Sequence, residues 1–254
     1  MRWIRIALIA FVSMLPSWAR ALDDADATAR FDEANLAYET EDYERATQIY
    51  HSLIEDGRRS AALYFNLGNA HFQAGATGKA IASYKRALRL QPKHRDSRTN
   101  LRIALANLGD AEGADRTPPT HHSFLLQATL NQWTWGFTWP FLALCASLLL
   151  HAFVPNLRKR LGGLIGPLAA LSLTTGVLLG FASAEWDREW GVVHSSQTAA
   201  RFGPLSESQM AFQLFEAEEV EILDRKDGWV RVITERNESG WAPASSIEIY
   251  TDLD

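Results

Sequence analysis

The chain lacks the residue patterns that assemble a catalytic, metal or cofactor site. Its 254 residues contain no nucleophile elbow, HExxH, P-loop, GxGxxG or paired-cysteine motif. The adjacent His121 and His122 cannot share one helix face, and no other ligand-type residue stands beside them at metal-binding spacing. We therefore predict a protein that is not an enzyme, with no catalytic residues, no metal and no cofactor.

Charge and cysteine content limit the possible partners and the covalent structure. The formal net charge of −5 provides no basic field to hold a nucleic acid, so none is predicted as a partner. Cys145 is the single cysteine, which excludes a disulfide within the chain. The folded parts must therefore be held together by packing.

The side chains suited to binding a partner lie in a helical segment that repeats on itself. Alanines and tyrosines recur at a period of about 34 residues, as Tyr50 and Tyr84 do. Small residues let two antiparallel helices approach closely, and aromatic rings fill the space beside them. Gly75 suits the turn between two such helices, and Pro92 suits the end of the pair.

This pattern resembles the tetratricopeptide repeat (TPR), a pair of antiparallel helices. Residues 61–94 form the clearest unit, residues 27–60 a weaker one, and residues 95–108 look like a third first helix that caps the stack. The resemblance implies an all-α solenoid of about two and a half repeats within residues 22–110. That length is near the lower limit for a stable stack.

The TPR resemblance also implies a concave groove, lined by the first helix of each unit, that holds a peptide or a partner helix. Side-chain amides in such a groove can hydrogen-bond an extended backbone. The alternative is that each is an ordinary solvated polar residue. The groove residues implied by the resemblance are Asn35, Tyr38, Asn66, Asn69, Gln73 and Asn100.

Charge is divided along this helical segment. Residues 22–60 are rich in aspartate and glutamate, whereas residues 61–108 are rich in lysine and arginine. Such a bipolar surface could steer a partner or pair two copies of the chain. The alternative is that both regions are ordinary solvated faces.

Two long apolar runs follow a linker at residues 111–134. Residues 135–154 and 161–184 contain no aspartate, glutamate, lysine or arginine. About 20 apolar residues in a helix cross a ~30 Å hydrocarbon core, so we predict a two-helix transmembrane hairpin in the lipid bilayer. The alternative is a pair of core helices in a soluble protein.

Two features predict the orientation of the hairpin. The connecting loop at residues 155–160 carries three cations, which favours the cytoplasmic side. Residues 1–21 are typical of a secretory signal peptide, with a cleavage site before Leu22; an uncleaved anchor is the alternative. Either case places both flanking domains outside the cytoplasm; in a bacterial inner-membrane protein this side is the periplasm.

Residues 185–254 change to a β pattern. Short β-prone runs are separated by turn signals at Asp227-Gly228 and Ser239-Gly240, which suggests a small barrel of about five strands. The order of these segments resembles a bacterial SH3-like domain. The resemblance implies Trp229 and Pro243 as partner-binding residues. Bacterial relatives bind wall peptides or other proteins, or only pack on a neighbour.

The order of parts is typical of a multidomain membrane protein: a TPR solenoid, a transmembrane hairpin and an SH3-like barrel. It resembles the BatE family, TPR and SH3 membrane proteins encoded with Bacteroides aerotolerance (Bat) operons. The resemblance implies other inner-membrane or periplasmic proteins as partners, among them von Willebrand factor A type Bat proteins, together with a cytoplasmic MoxR-type ATPase. It further implies a role in oxidative or envelope stress. The alternative is a membrane protein that binds peptidoglycan through the SH3-like domain.

Overall fold

The computed structural model describes residues 17–108 and 128–251, which form a helical unit, a two-helix hairpin and a β-domain. The helical unit contains helices α1 to α5, and the hairpin contains α6 and α7. Their bounds are α1 Ser17–Glu39, α2 Tyr43–Glu55, α3 Ala61–Gln73, α4 Thr77–Leu90, α5 Arg95–Asn107, α6 Leu130–Phe153 and α7 Arg158–Trp186.

The β-domain consists of seven strands in the described residues. They are β1 Glu189–Val193, β2 Gln197–Arg201, β3 Met210–Phe215, β4 Glu219–Lys226, β5 Trp229–Thr234, β6 Ser239–Pro243 and β7 Ile247–Ile249. They form one antiparallel sheet in the order β3-β2-β6-β5-β4-β1-β7.

The helical unit confirms the predicted pairing of antiparallel helices. The pairs α1–α2 and α3–α4 are joined by short turns, and α5 packs on α4 as the third first helix. Gly75 takes a φ of +78° in the α3–α4 turn, a conformation that glycine adopts without strain. A Cβ atom at Gly68 would lie 2.6 Å from Cε1 of Tyr84, so the small residue is what lets α3 and α4 approach.

The structure describes only the last residues of the predicted signal peptide. Residues 1–16, most of that peptide, lie outside the described residues. From Ser17 the backbone is helical and continuous with the rest of α1, so the predicted cleavage site before Leu22 falls within a helix. Cleavage therefore stays a prediction.

The hairpin helices are longer than the apolar runs that predicted them. Residues 130–134, assigned to the linker from the sequence, form the first turn of α6, where Thr129 and Gln132 complete a capping box. The rest of the predicted linker lies outside the described residues. Between the helices only Pro155–Leu157 form a turn, because the basic residues that follow belong to the first turn of α7. Arg158 closes this end by donating to the carbonyls of His151 and Ala152.

The hairpin helices are long and apolar enough to cross a membrane. The 24 residues of α6 span about 36 Å at the usual helical rise. Unlike the helices of a soluble core, they expose their apolar side chains: Phe153 is 79% and Leu173 is 71% exposed. A surface of this kind is stable in hydrocarbon and costly in water.

The β-domain confirms an all-β fold but differs from the predicted closed barrel of about five strands. Its edge strands β3 and β7 do not pair with each other, so the sheet is open in the described residues. Strand β7 has only three residues and lies against helix α4 of the helical unit. A neighbouring helix thus covers an edge that barrel closure would otherwise protect.

Of the two turns predicted in the β-domain, one forms and the other does not. Asp227 and Gly228 have φ angles of 48° and 80° and connect β4 to β5 as a two-residue hairpin, as predicted. The turn predicted at Ser239-Gly240 is wrong, because both residues lie in β6. A Cβ at Gly240 would lie 3.1 Å from the ring of Phe212, so this glycine permits close packing between strands.

The β-domain docks on helix α4, and its Glu216 completes that helix. The N-cap residue of α4 is Ala76, which has no side chain to bond the free amides of the first turn. Instead, the backbone N–H of Gly78 donates to Oε1 of Glu216, 2.9 Å away. A Cβ at Gly78 would lie 2.6 Å from Cα of His194, so the two backbones touch here. The carboxylate also complements the positive end of the helix dipole.

Buried ion pairs and an apolar cluster extend this contact along α4. Lys85 pairs with Glu219, whose side chain is 5% exposed and also accepts a hydrogen bond from the Tyr250 hydroxyl. Arg86 pairs with Glu248 at 3.0 Å and donates to the carbonyl of the β7 residue Ile249. Between these polar groups, residues of α4 pack against β1 and Tyr250 in one cluster, which contains Ala80, Ile81, Ala82, Tyr84, Ala104, Val192 and Tyr250.

The docking of the β-domain on α4 explains part of the uneven charge along the helical segment. Three cations of the basic half, Lys85, Arg86 and Arg89, bind groups of the β-domain or of the end of α7. In the acidic half, Asp56 pairs with Arg30 within the helical unit. At these positions the charged side chains therefore bind other parts of the same chain.

The Lys85→Met variant tests the docking contact. Removing this lysine leaves Glu219 buried without its counter-ion, so we expect the free energy of unfolding of the detergent-solubilised full chain to fall by about 3 kcal/mol. Adding Glu219→Gln removes the stranded charge and should restore most of the loss. Urea denaturation followed by tryptophan fluorescence measures both effects.

The matched control is Lys226→Met, which removes an exposed lysine of the β-domain. It should change stability by no more than about 0.5 kcal/mol. A Lys85→Met variant as stable as this control would contradict a buried contact between α4 and the β-domain.

Candidate functional site

The predicted groove residues lie on the face formed by the first helices α1, α3 and α5, here called the first-helix face. The β-domain packs on α4, the second helix of its pair. Hydrogen bonds between asparagine side chains join α1 to α3 and α3 to α5, so the three first helices lie side by side. Docking and the first-helix face thus use different helices of the same unit.

Four of the predicted asparagines form two identical hydrogen-bonded sets. Oδ1 of Asn35 accepts from the Tyr50 hydroxyl at 2.7 Å and from Nδ2 of Asn66 at 2.9 Å. One repeat later the set recurs: Oδ1 of Asn69 accepts from the Tyr84 hydroxyl at 2.9 Å and from Nδ2 of Asn100 at 2.8 Å. These amides therefore fix the spacing of the helices.

The tyrosines of these sets are buried donors that depend on the asparagines. Burial raises the pKa of Tyr50 to about 12. Burial likewise raises the pKa of Tyr84, so both hydroxyls stay protonated at neutral pH. An unpartnered buried hydroxyl would cost about 1–3 kcal/mol, which explains why each tyrosine needs its asparagine.

Each asparagine keeps one polar atom that the sets do not use. Within the described part of the chain, Nδ2 of Asn35 and Asn69 and Oδ1 of Asn66 and Asn100 have no hydrogen-bond partner, and none of these atoms is a buried orphan. The first-helix face therefore has both unused amide donors and unused amide acceptors. This is the pairing that an extended peptide backbone presents in return.

The other two predicted groove residues lie apart from these sets. The Tyr38 ring, half-buried near the end of α1, packs edge-on against Tyr43 with centroids 5.5 Å apart. Gln73 is the last residue of α3 and is exposed. Structural packing accounts for Tyr38, whereas Gln73 is free to meet a ligand.

The β-domain brings the two predicted residues Trp229 and Pro243 together. They are direct partners across β5 and β6 and line one open cleft of about 480 Å³. Most of the other lining residues are small or hydroxylated, with one cation at Arg201. The cleft is lined by Ser195, Gln197, Thr198, Ala199, Arg201, Ser206, Gly228, Trp229, Pro243, Ser245 and Ser246. An indole beside hydroxyl groups suits a polar ligand with an apolar face.

Sequence reasoning missed the structural use of the asparagines and the docking of the β-domain. The first had a readable signal, because asparagine and tyrosine recur together one repeat apart, as Asn35 with Tyr50 and Asn69 with Tyr84. The docking of the β-domain had only a weak signal in the sequence: Ala76, whose side chain cannot cap a helix, precedes α4. Among the described residues, no three histidine, cysteine or acidic side chains gather at a possible metal site.

Comparison with known proteins agrees with the helical unit. The tetratricopeptide repeat family model matches residues 31–95, from α1 to the first residue of α5. No curated protein matches the chain. The helix pairs, the recurring asparagine–tyrosine sets and this match together show a TPR-containing protein, and TPR repeats are a protein-interaction module.

Proposed function

We propose that this protein is a non-enzymatic scaffold of a bacterial inner membrane that presents its helical unit and its β-domain to the periplasm. The observation that carries the proposal is that different helices of the helical unit have different roles. Helix α4 holds the β-domain, while the first-helix face keeps unused amide donors and acceptors. An interaction surface is thus left open on a unit that is already fixed in place.

The hairpin supports a common side for both domains. The helical unit enters α6 and the β-domain leaves α7 at the same end, because the two helices are antiparallel and joined at Pro155–Leu157. Docking of the β-domain on α4 requires the same arrangement. The cations at the opposite end, Arg158, Lys159 and Arg160, favour the cytoplasm for the turn.

An extended segment of a neighbouring membrane or periplasmic protein is the ligand that best suits the first-helix face. Unused amide atoms one repeat apart can pair with successive groups of such a backbone. The resemblance to the BatE family directs the search to von Willebrand factor A type Bat proteins and an envelope-stress or aerotolerance complex. Anchorage in one membrane raises the local concentration of both partners, so weak contacts suffice.

Peptidoglycan is the second candidate ligand, through the β-domain. Its strand pairing and the segments around Trp229 and Pro243 support a bacterial SH3-like domain with an open sheet. The cleft that these two residues share offers an indole, several hydroxyls and the Arg201 guanidinium. Those groups suit a glycan with an acidic stem peptide.

Photo-crosslinking in living cells distinguishes the two candidates. A benzophenone amino acid is placed at Gln73 beside the first-helix face, at Trp229 in the cleft, or at the exposed Glu235 beyond the far end of β5 as the control. We expect irradiation to link the Gln73 variant to a membrane or periplasmic protein, and the Glu235 variant to none. Mass spectrometry identifies the linked species.

The pattern of linked species decides between the functions. Wall glycan linked to the Trp229 position, with no protein linked at Gln73, would favour the peptidoglycan-binding function over the scaffold. No adduct at either position would contradict both.

Accessibility labelling tests the orientation. In a Cys145→Ser background, single Gln73→Cys, Lys226→Cys or Lys159→Cys variants are exposed to a membrane-impermeant maleimide in sealed spheroplasts. We expect the first two to react at once and Lys159→Cys to react only after lysis. Labelling of Lys159→Cys in sealed spheroplasts would overturn the proposed orientation.

A further inference from the structure

A second cavity lies where the helical unit, the β-domain and the end of α7 meet. It has a volume of about 550 Å³ and differs from both sites described above in its charge. Residues from three separate parts of the chain line it, among them Lys85, Leu88, Arg89, Lys93, Arg98 and Trp186. Four of the lining residues are cations, and none is an aspartate or glutamate.

Only some of the cations of this cavity are paired with a carboxylate. Lys85 is paired with the buried Glu219. Arg98 is exposed and donates to the Pro92 carbonyl at 2.5 Å, while Lys93 is exposed and has no partner in the described part of the chain. Two cations therefore remain at the cavity without a carboxylate beside them.

Two buried donors in the cavity wall lack an acceptor. The Arg89 guanidinium stacks on the Trp186 ring, 4.4 Å from its centroid, and donates to the Trp186 carbonyl. Nε of Arg89 and Nε1 of Trp186 are nevertheless buried without a hydrogen-bond partner among the described residues. Both atoms can only donate, so what they lack is an acceptor.

Burial also disfavours the charged form of Arg89, although the guanidinium stays protonated at neutral pH. It lowers the pKa of the guanidinium from its usual value, and the nearby Tyr250, Glu185 and Asp187 only partly oppose this. An anion in the cavity would offset the cost of burying the cation. The buried Arg89 and the unpaired Lys93 and Arg98 thus favour the same kind of ligand.

The position of the cavity identifies the source of that ligand. Trp186 is the last residue of α7, at the end of the hairpin from which both domains emerge. A tryptophan at such a helix end lies at the level of the lipid headgroups. The cavity consequently faces the boundary between membrane and water, where phosphate groups are concentrated.

We infer that this cavity binds the phosphate of an anionic phospholipid headgroup. Lys93 and Arg98 pair with the phosphate oxygens, the Arg89 guanidinium adds positive charge behind them, and Leu88 packs against the glycerol and first acyl carbons. The inference rests on the membrane hairpin of the proposed function, and it holds whichever side of the membrane the domains occupy. Bound lipid would join the helical unit, the β-domain and α7 at their common point.

Native mass spectrometry of the full chain in detergent tests the inference. Phosphatidylglycerol or the zwitterionic phosphatidylcholine is added at equal concentration, and the retained lipid is counted. We expect preferential retention of phosphatidylglycerol. Each cation near an anionic lipid contributes about fivefold in affinity, so Lys93→Ala combined with Arg98→Ala should lower retention by about 30-fold.

The matched control is Arg95→Ala combined with Arg102→Ala, which removes two exposed cations of helix α5 that do not line the cavity. It should retain phosphatidylglycerol as the unmodified chain does. Equal retention by the Lys93 and Arg98 double variant would overturn the inference. Displacement of the lipid by an equal concentration of inorganic phosphate would also overturn it, by assigning the cavity to a soluble anion.

The labelling of Lys159→Cys reports orientation independently of lipid retention. A chain with the expected orientation that does not retain phosphatidylglycerol fails this inference alone. A chain with the opposite orientation fails the proposed function, and retention then decides the headgroup site by itself.

Discussion

The contact between helix α4 and the β-domain constrains every other part of this protein. Glu216 supplies the cap that Ala76 cannot, and Gly78 lets the two backbones meet. The apolar cluster around Ile81 and Val192 provides the favourable burial, at roughly 25 cal/mol per Å² of apolar surface. Buried ion pairs add little net stability, but breaking one costs about 3–5 kcal/mol. The Lys85–Glu219 pair therefore adds little to stability while it is intact, but losing one partner is costly.

Docking explains how a short repeat array remains folded. About two and a half repeats are close to the minimum for a stable stack, so additional packing on one of its helices matters. In this chain the β-domain packs on α4, and α4 in return covers the edge strand β7. The helical unit and the β-domain therefore each bury surface of the other.

The sequence predicted the features that depend on local chemistry. Gly75 and Asp227-Gly228 form the predicted turns because positive φ angles favour these residue types. Helix α5 was predicted from the recurrence of the first-helix pattern. The turn at Ser239-Gly240 was wrong because a glycine can serve close packing as well as a turn, and only the neighbouring Phe212 distinguishes the two.

Features that depend on distant partners could not be read from the sequence. The bond between Gly78 and Glu216 joins positions 138 residues apart, and neither residue belongs to a motif. Of the predicted groove residues, four asparagines were placed on the right helices but also carry a structural role that polarity alone does not reveal. Whether Trp229 and Pro243 bind a ligand depends on what enters their cleft, and their pairing across β5 and β6 was not predicted from the sequence.

Hydrogen exchange at the amide of Gly78 tests the docked arrangement most directly. An amide in the first turn of a helix has no partner within the helix and exchanges quickly unless something else accepts its hydrogen bond. In the full chain embedded in lipid nanodiscs, we predict a slow Gly78 amide that Glu216→Ala accelerates by at least about tenfold, while the exposed Glu207→Ala leaves it unchanged. A Gly78 amide that exchanges at the unprotected rate in the unmodified chain would contradict the account.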